Sequence, residues 1–199
     1  MAREPIRGNH VVEVRDDQGQ ITAARVDIRF CQMTIHPPIG KQRRYPTLEL
    51  TALYADAGVT YTYSGVTYPS LVWTAELSGI RRRVEEAAGA PFNSVLLNRY
   101  RDGGDSMGFH ADDEPELGTN PVVPSISLGA ERRFVLRHNW TRERIEYDLK
   151  HGSLLVMAGT LQHFWQHALP KLTRPAGERI NLTFRNLLTL PSDHEFYCR

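Results

Sequence analysis

His110-Ala111-Asp112 places an imidazole and a carboxylate two residues apart. On extended backbone both project to the same side, so a nitrogen and an oxygen donor can converge on one cation. A second histidine would complete a set that occupies one face of an octahedron and leaves the other positions open. Non-haem iron(II) sites that activate dioxygen are built this way. The later candidates are His138, His151, His163, His167 and the tail residue His194. His151 precedes Gly152 and reads as a turn, and His138 ends a strand beside Asn139. His163 and His167 share one parity on one expected strand, so alternation leaves both open.

The run from Arg179 to Arg185, Arg-Ile-Asn-Leu-Thr-Phe-Arg, alternates polar and apolar residues. As a strand it aims Arg179, Asn181, Thr183 and Arg185 to one face and Ile180, Leu182 and Phe184 to the other. Two arginines on an inner face are costly unless an anion neutralises them. A dicarboxylate meets that need, because each guanidinium can fork one carboxylate.

These groups need a frame to hold them. Strands are expected at 93–100, 122–128, 133–137, 144–149, 153–158, 164–169 and 179–187, each short, rich in β-branched or aromatic residues and bounded by turn formers. Such a series points to a sandwich, jelly roll or barrel. A further strand is expected at 24–30, where Val26, Ile28 and Phe30 alternate with charges, and His36 to Gly40 then reads as a hairpin tip or loop. One helix is expected, with Trp73, Leu77, Ile80, Val84 and Ala87 on one face, Ser70 as N-cap, and Gly89 and Pro91 ending it. Arg81, Arg82 and Arg83 fall mostly on its outer side. The chain divides into an N-terminal hairpin and helix layer over 1–91 and a β core over 92–199, together one compact domain.

With 199 residues, 41% hydrophobic and 24% charged, the chain can bury a core, which excludes a disordered tail or a collagen-like repeat. Two cysteines, Cys31 and Cys198, exclude a disulfide framework. No apolar run reaches the roughly 18 residues of a membrane span, and the first residues lack a signal-peptide core, so no membrane partner is expected. A cytoplasmic home is expected if the source is bacterial, a nuclear one if it is eukaryotic. There are 21 arginines against 3 lysines. Arginine suits phosphate forks, and a GC-rich genome gives the same excess.

Taken in order, Asn98-Arg99-Tyr100, His110-Ala111-Asp112, His167-Ala168-Leu169-Pro170 and the Arg179 to Arg185 run resemble the AlkB family of Fe(II)- and 2-oxoglutarate-dependent dioxygenases, which dealkylate nucleic acids. The resemblance runs from about Tyr54 to Leu187 and is closest to the branch with the nuclear vertebrate DNA-repair homologues, as in Tyr54-Ala55-Asp56-Ala57-Gly58 and Asp112-Asp113-Glu114.

The resemblance implies a mainly β (α+β) fold, a double-stranded β-helix (jelly roll) with an N-terminal nucleotide-recognition layer. It implies His110, Asp112 and His167 as iron ligands, with His167 preferred over His163 because a small residue and then Leu-Pro follow it. Arg179 and Arg185 would take the two ends of 2-oxoglutarate, helped by Asn98, Tyr100, Asn181 and Thr183. Asp113 and Glu114 would face the target base, and Tyr54 and Asp56 would line the same pocket. Ile39 would be the apolar wedge of the hairpin tip, smaller than the aromatic that related duplex enzymes carry, which favours single strands.

The implied reaction demethylates 1-methyladenine or 3-methylcytosine in DNA with dioxygen, releasing formaldehyde, succinate and carbon dioxide. The protein is expected to act as a monomer. Lys41, Arg43, Arg44, Arg132, Arg133, Arg137, Arg142 and Lys171 are candidate contacts to the phosphate backbone. The same chemistry on RNA or on a substrate that is not a nucleic acid is an alternative, and a cupin-like protein that binds metal without catalysis is another.

Overall fold

The structure is a computed structural model and describes residues 12–15, 21–26, 50–63, 66–68 and 70–188. The first strands are β1 (Val12–Arg15), β2 (Ile21–Val26), β3 (Leu50–Ala55), the short pair β4 (Tyr61–Tyr63) and β5 (Val66–Tyr68), and β6 (Ser70–Leu71). Helix α1 (Ala75–Ala88) follows, then β7 (Ser94–Tyr100), β8 (Met107–His110), β9 (Val123–Gly129), β10 (Arg132–His138), β11 (Arg144–Leu149) and β12 (Ser153–Met157). A single turn, α2 (Leu161–Phe164), runs into β13 (Trp165–Leu169), and β14 (Arg179–Arg185) comes last among the described elements.

One sheet has the order β1-β2-β12-β9-β14-β7-β3-β6, and a second has the order β11-β10-β13-β8. Val123, Leu155 and Met157 of the large sheet pack with Phe134, Leu136, Tyr147, Leu149 and Trp165 of the small one. The other face of the large sheet, including Leu97, Ile126, Leu154, Leu182 and Phe184, packs on Leu77, Ile80 and Val84 of α1. The fold is thus mainly β, two facing sheets of jelly-roll type backed by one helix. Burial of each of those three helix residues stabilises this layer by roughly 1.5–3 kcal/mol.

Several boundaries differ from expectation. The helix is capped by Thr74, whose Oγ1 accepts the Leu77 N–H at 3.2 Å, and not by Ser70, which joins edge strand β6 beside β3. It ends as expected at Gly89, in the left-handed region at φ 67°. Arg81 does not point to solvent: it bonds Asp56 at 2.8 Å and Glu85 at 3.0 Å and lies over the Trp73 ring. The early strand begins at Ile21, ahead of the expected residue 24, and is described to Val26; Ile28, Phe30 and the 36–40 tip lie outside the described residues. Residues on either side of the 91/92 division share one sheet, since β2 pairs with β12 and β3 with β7.

Arg132, expected to contact phosphate, is 1% exposed. Its guanidinium donates to the carbonyl oxygens of Asp102 at 3.0 Å, Asp105 at 2.8 Å and Pro170 at 2.9 Å. It thereby ties the loop after β7 to the end of β13. Arg132→Ala removes the donor from three carbonyls, the Asp105 one fully buried, and is expected to cost about 3 kcal/mol in denaturant unfolding. A loss under about 0.5 kcal/mol, the size of an ordinary surface change, would show that the clamp contributes nothing.

Candidate active site

The polar site begins where the apolar filling between the sheets stops. On β14 the residues Arg179, Asn181, Thr183 and Arg185 are all buried and share the inner face, opposite Leu182 and Phe184. Neighbouring strands complete the patch: Tyr100 lies abreast of Arg179, and Asn98 and Ser127 flank Asn181. Gly129 allows β14 to start this close, because a Cβ there would lie 2.3 Å from the Glu178 carbonyl oxygen.

A chain of hydrogen bonds orders this face. Arg179 Nη2 donates to Ser127 Oγ at 2.9 Å and to Asn181 Oδ1 at 2.7 Å, and Asn181 Nδ2 donates to Thr183 Oγ1 at 2.7 Å. Ser125 Oγ donates to Asn181 Oδ1 at 2.9 Å. The Arg179 guanidinium also lies over the Tyr100 ring, 5.1 Å from its centroid. Ser125 and Ser127 were not foreseen, although their alternation on the expected strand 122–128 placed them on one face.

The small sheet supplies the donors opposite. His110 and His167 are register partners on β8 and β13, with ring centroids 4.1 Å apart. Asp112, two residues past His110, is 1% exposed. The ligand atoms of His110, Asp112 and His167 all lie within 4.8 Å of one another. Gln162 Oε1 accepts the Asp112 N–H at 2.9 Å, and Arg185 Nη2 donates to Asp112 Oδ2 at 3.1 Å, so β14 is tied directly to this triad. Gln162 carried no signal in the sequence, since its role depends on a contact fifty residues away.

His163 falls elsewhere. It sits exposed on α2 with Nε2 at 3.0 Å from Asn120 Oδ1, because that helical turn breaks the expected strand before Trp165. His138 packs edge-on against Trp165, and His151 Nδ1 accepts the Gly129 N–H at 2.9 Å. His194 lies outside the described residues.

A family model described as the 2OG-Fe(II) oxygenase superfamily matches residues 10–185. The chain belongs to that superfamily. This 2OG-Fe(II) oxygenase is 43% identical over 157 residues to the mouse protein named DNA oxidative demethylase ALKBH2, covering 75% of this chain and 65% of the relative. Rat alpha-ketoglutarate-dependent dioxygenase alkB homolog 3 is also 43% identical over 157 residues, covering 74% and 52%. The Arabidopsis thaliana ALKBH2 is 37% identical over 165 residues, covering 69% and 52%. The oxygenase therefore spans about half to two thirds of the length of these relatives. These likenesses place it in the AlkB family within the superfamily. The solved structure of OsALKBH1 matches with a TM-score of 0.52 at 20% identity, covering 76% of this chain and 84% of that one, a likeness of fold.

The residues fit the cofactors that the superfamily name implies. Burial alone would push the Asp112 carboxyl up, but Arg185, His167 and His110 beside it hold it down at about 2. Burial pushes His167 down to about 3, reinforced by His110 and Arg185 and opposed by Asp112. At neutral pH the pair is an ionised carboxylate and a neutral imidazole, the forms a metal requires. Asp112 Oδ1 and His167 Nδ1 are buried without hydrogen-bond partners among the described residues. The His110 Nδ1 contact to the Gly108 carbonyl at 2.9 Å assigns the proton to Nδ1 and leaves Nε2 as the ligand atom.

The anion side fits as well. Burial pushes Arg179 down to about 10, which still leaves it a cation, and no carboxylate pairs with it among the described residues. An incoming carboxylate would supply the missing counter-charge.

The expected substrate residues divide. Asp113 and Glu114 line an open cavity of about 470 Å³ together with His110, Gln162, His163 and Gln166. Burial raises the Glu114 carboxyl from its ordinary value. Tyr54 does not reach this cavity: it is 3% exposed on the opposite face of β3, in the cluster with Leu77, Ile80 and Val84. Even parity on that strand faces α1, so Tyr54 cannot stack on an extruded base from there. The Asp56 carboxylate is committed to Arg81. Ile39, Lys41, Arg43 and Arg44 lie outside the described residues.

Proposed function

We propose that this chain is an oxidative demethylase of N-alkylated bases in nucleic acid, acting on DNA lesions of the 1-methyladenine and 3-methylcytosine type. The observation that carries the reading is the triad of half-buried His110 with buried Asp112 and His167, tied through Arg185 to the Arg179 face and opening beside His110 onto a cavity with two acids. Relatives named DNA oxidative demethylase support DNA as the target.

In this reading His110, Asp112 and His167 hold iron(II), and Arg179 and Arg185 hold 2-oxoglutarate with Tyr100, Asn98, Asn181 and Thr183 around it. Bound there with dioxygen, the pair would supply an oxidant for the N-methyl carbon, with 2-oxoglutarate leaving as succinate and carbon dioxide and the methyl carbon leaving as formaldehyde. The chain's own groups orient and select. Arg185 fixes the Asp112 carboxylate through Oδ2, and Gln162 holds its backbone. Asp113 and Glu114 favour 1-methyladenine and 3-methylcytosine, which are cationic where the unmodified bases are neutral. A methyl on the pairing edge also lowers the few kcal/mol needed to extrude the base.

Formaldehyde should appear in step with succinate when the protein is given a single-stranded 3-methylcytosine oligonucleotide. Succinate without formaldehyde would keep the oxygenase and remove this substrate. Methylated DNA and RNA strands compared by rate then decide between the two nucleic acids, with DNA expected to be faster. Ile39 remains the proposed wedge for duplexes. Ile39→Ala should lower turnover of duplex much more than of single strand, and equal losses would remove that role.

A further inference from the structure

Trp140 is 75% exposed at the tip between β10 and β11, whereas Trp165 is buried and Trp73 half-buried. A lone exposed hydrophobic residue needs no explanation, but this one is held in place. Its ring meets Phe164 edge-on at 5.4 Å and His138 at 5.8 Å. The turn beneath it is fixed too, because His138 Nδ1 accepts the N–H groups of Trp140 at 3.3 Å and Thr141 at 3.2 Å. An aromatic already fixed in orientation loses little entropy when a flat partner settles on it.

Its position adds the second argument. The adjacent Asn139 donates through Nδ2 to the His163 carbonyl at 3.1 Å, and both Asn139 and His163 line the cavity beside His110. The tip, residues 137–144, carries Arg137, Arg142 and Arg144 against the single acid Glu143. Arg142 and Arg144 are exposed, and Arg137 lies 3.8 Å over the Phe109 ring. An exposed, braced aromatic among cations at a cavity mouth is what sequence-tolerant binding of single strands requires: charge for the backbone and a ring for a base.

We propose that Trp140 is a stacking platform for a nucleobase that flanks the one entering the cavity, in a single-stranded nucleic acid; this rests on the nucleic-acid reading above. The platform adds affinity without reading sequence, since every base offers a flat face.

The test is binding of an unmethylated oligodeoxythymidine strand to the full chain loaded with iron(II), without oxygen or 2-oxoglutarate, so that no turnover intervenes. Trp140→Ala should bind about tenfold more weakly, the usual order for one lost base stack, and Trp140→Phe should fall between. The strand should quench wild-type tryptophan emission and leave that of Trp140→Ala nearly unchanged. The salt dependence of the two proteins should be parallel, because a stack carries no counterions. Equal affinity of wild type and Trp140→Ala overturns the platform and leaves the demethylase reading standing. No binding by the wild type also overturns the platform, while turnover of a methylated strand judges the demethylase reading separately. A loss confined to duplex DNA overturns the single-strand assignment.

Discussion

His167→Ala is expected to abolish iron(II) binding and turnover, while His163→Ala leaves iron binding intact. His167 is buried, held neutral, and within 4.8 Å of the other two donors by ligand atom. His163 is exposed and spends Nε2 on Asn120. Loss of a residue that merely supports a ligand weakens metal binding by about 10–100-fold, so loss of the ligand itself should exceed about 100-fold. An anaerobic iron(II) titration of both variants measures this. Retained binding in His167→Ala, with loss in His163→Ala, would relocate the centre to α2.

Arg179→Ala should raise the 2-oxoglutarate concentration needed for half-maximal rate by about 100-fold or more, the scale of a buried charge pair broken from one side. Arg179 is a buried cation without a paired carboxylate among the described residues. Its own carriers, Ser127, Asn181 and the Tyr100 ring, are neutral and cannot cancel that charge. A ligand that supplies the counter-charge should also stabilise the wild-type fold, so 2-oxoglutarate should raise its melting temperature and do so much less for Arg179→Ala. Arg179→Lys should recover only part of the affinity, because an ammonium cannot make the two-pronged contact. An unchanged 2-oxoglutarate requirement in Arg179→Ala would remove Arg179 from the cosubstrate site.

What could be read along the chain was what depends on near neighbours. The period-two alternation of Arg179 to Arg185 assigned both faces of β14, and the strand sequence from 93 onward matches β7 and β9 to β14 to within one or two residues at most ends. The His110 and Asp112 spacing was equally local. What failed depended on partners distant in sequence. Nothing local distinguishes Phe164 from a strand residue, so the turn α2, which separates His163 from His167, was missed. The resemblance places Tyr54 in the substrate pocket, whereas on β3 its ring packs with Leu77, Ile80 and Val84 of α1, a partner that the strand's own residues do not reveal. Arg132 was placed on the surface by its charge, yet three backbone carbonyls, from residues 102, 105 and 170, bury it. Thr74 and not Ser70 caps the helix because pairing with β3 claims Ser70 and Leu71.

The mass of a single-stranded 1-methyladenine oligonucleotide after incubation with the protein, iron(II), 2-oxoglutarate and air decides whether the chain is a demethylase. Loss of one methyl group is expected, abolished by omitting 2-oxoglutarate, by adding a chelator, or by His167→Ala. An unchanged mass with folded, iron-loaded protein would contradict the demethylase assignment, and loss that persists without 2-oxoglutarate would contradict the chemistry assigned to the Arg179 face.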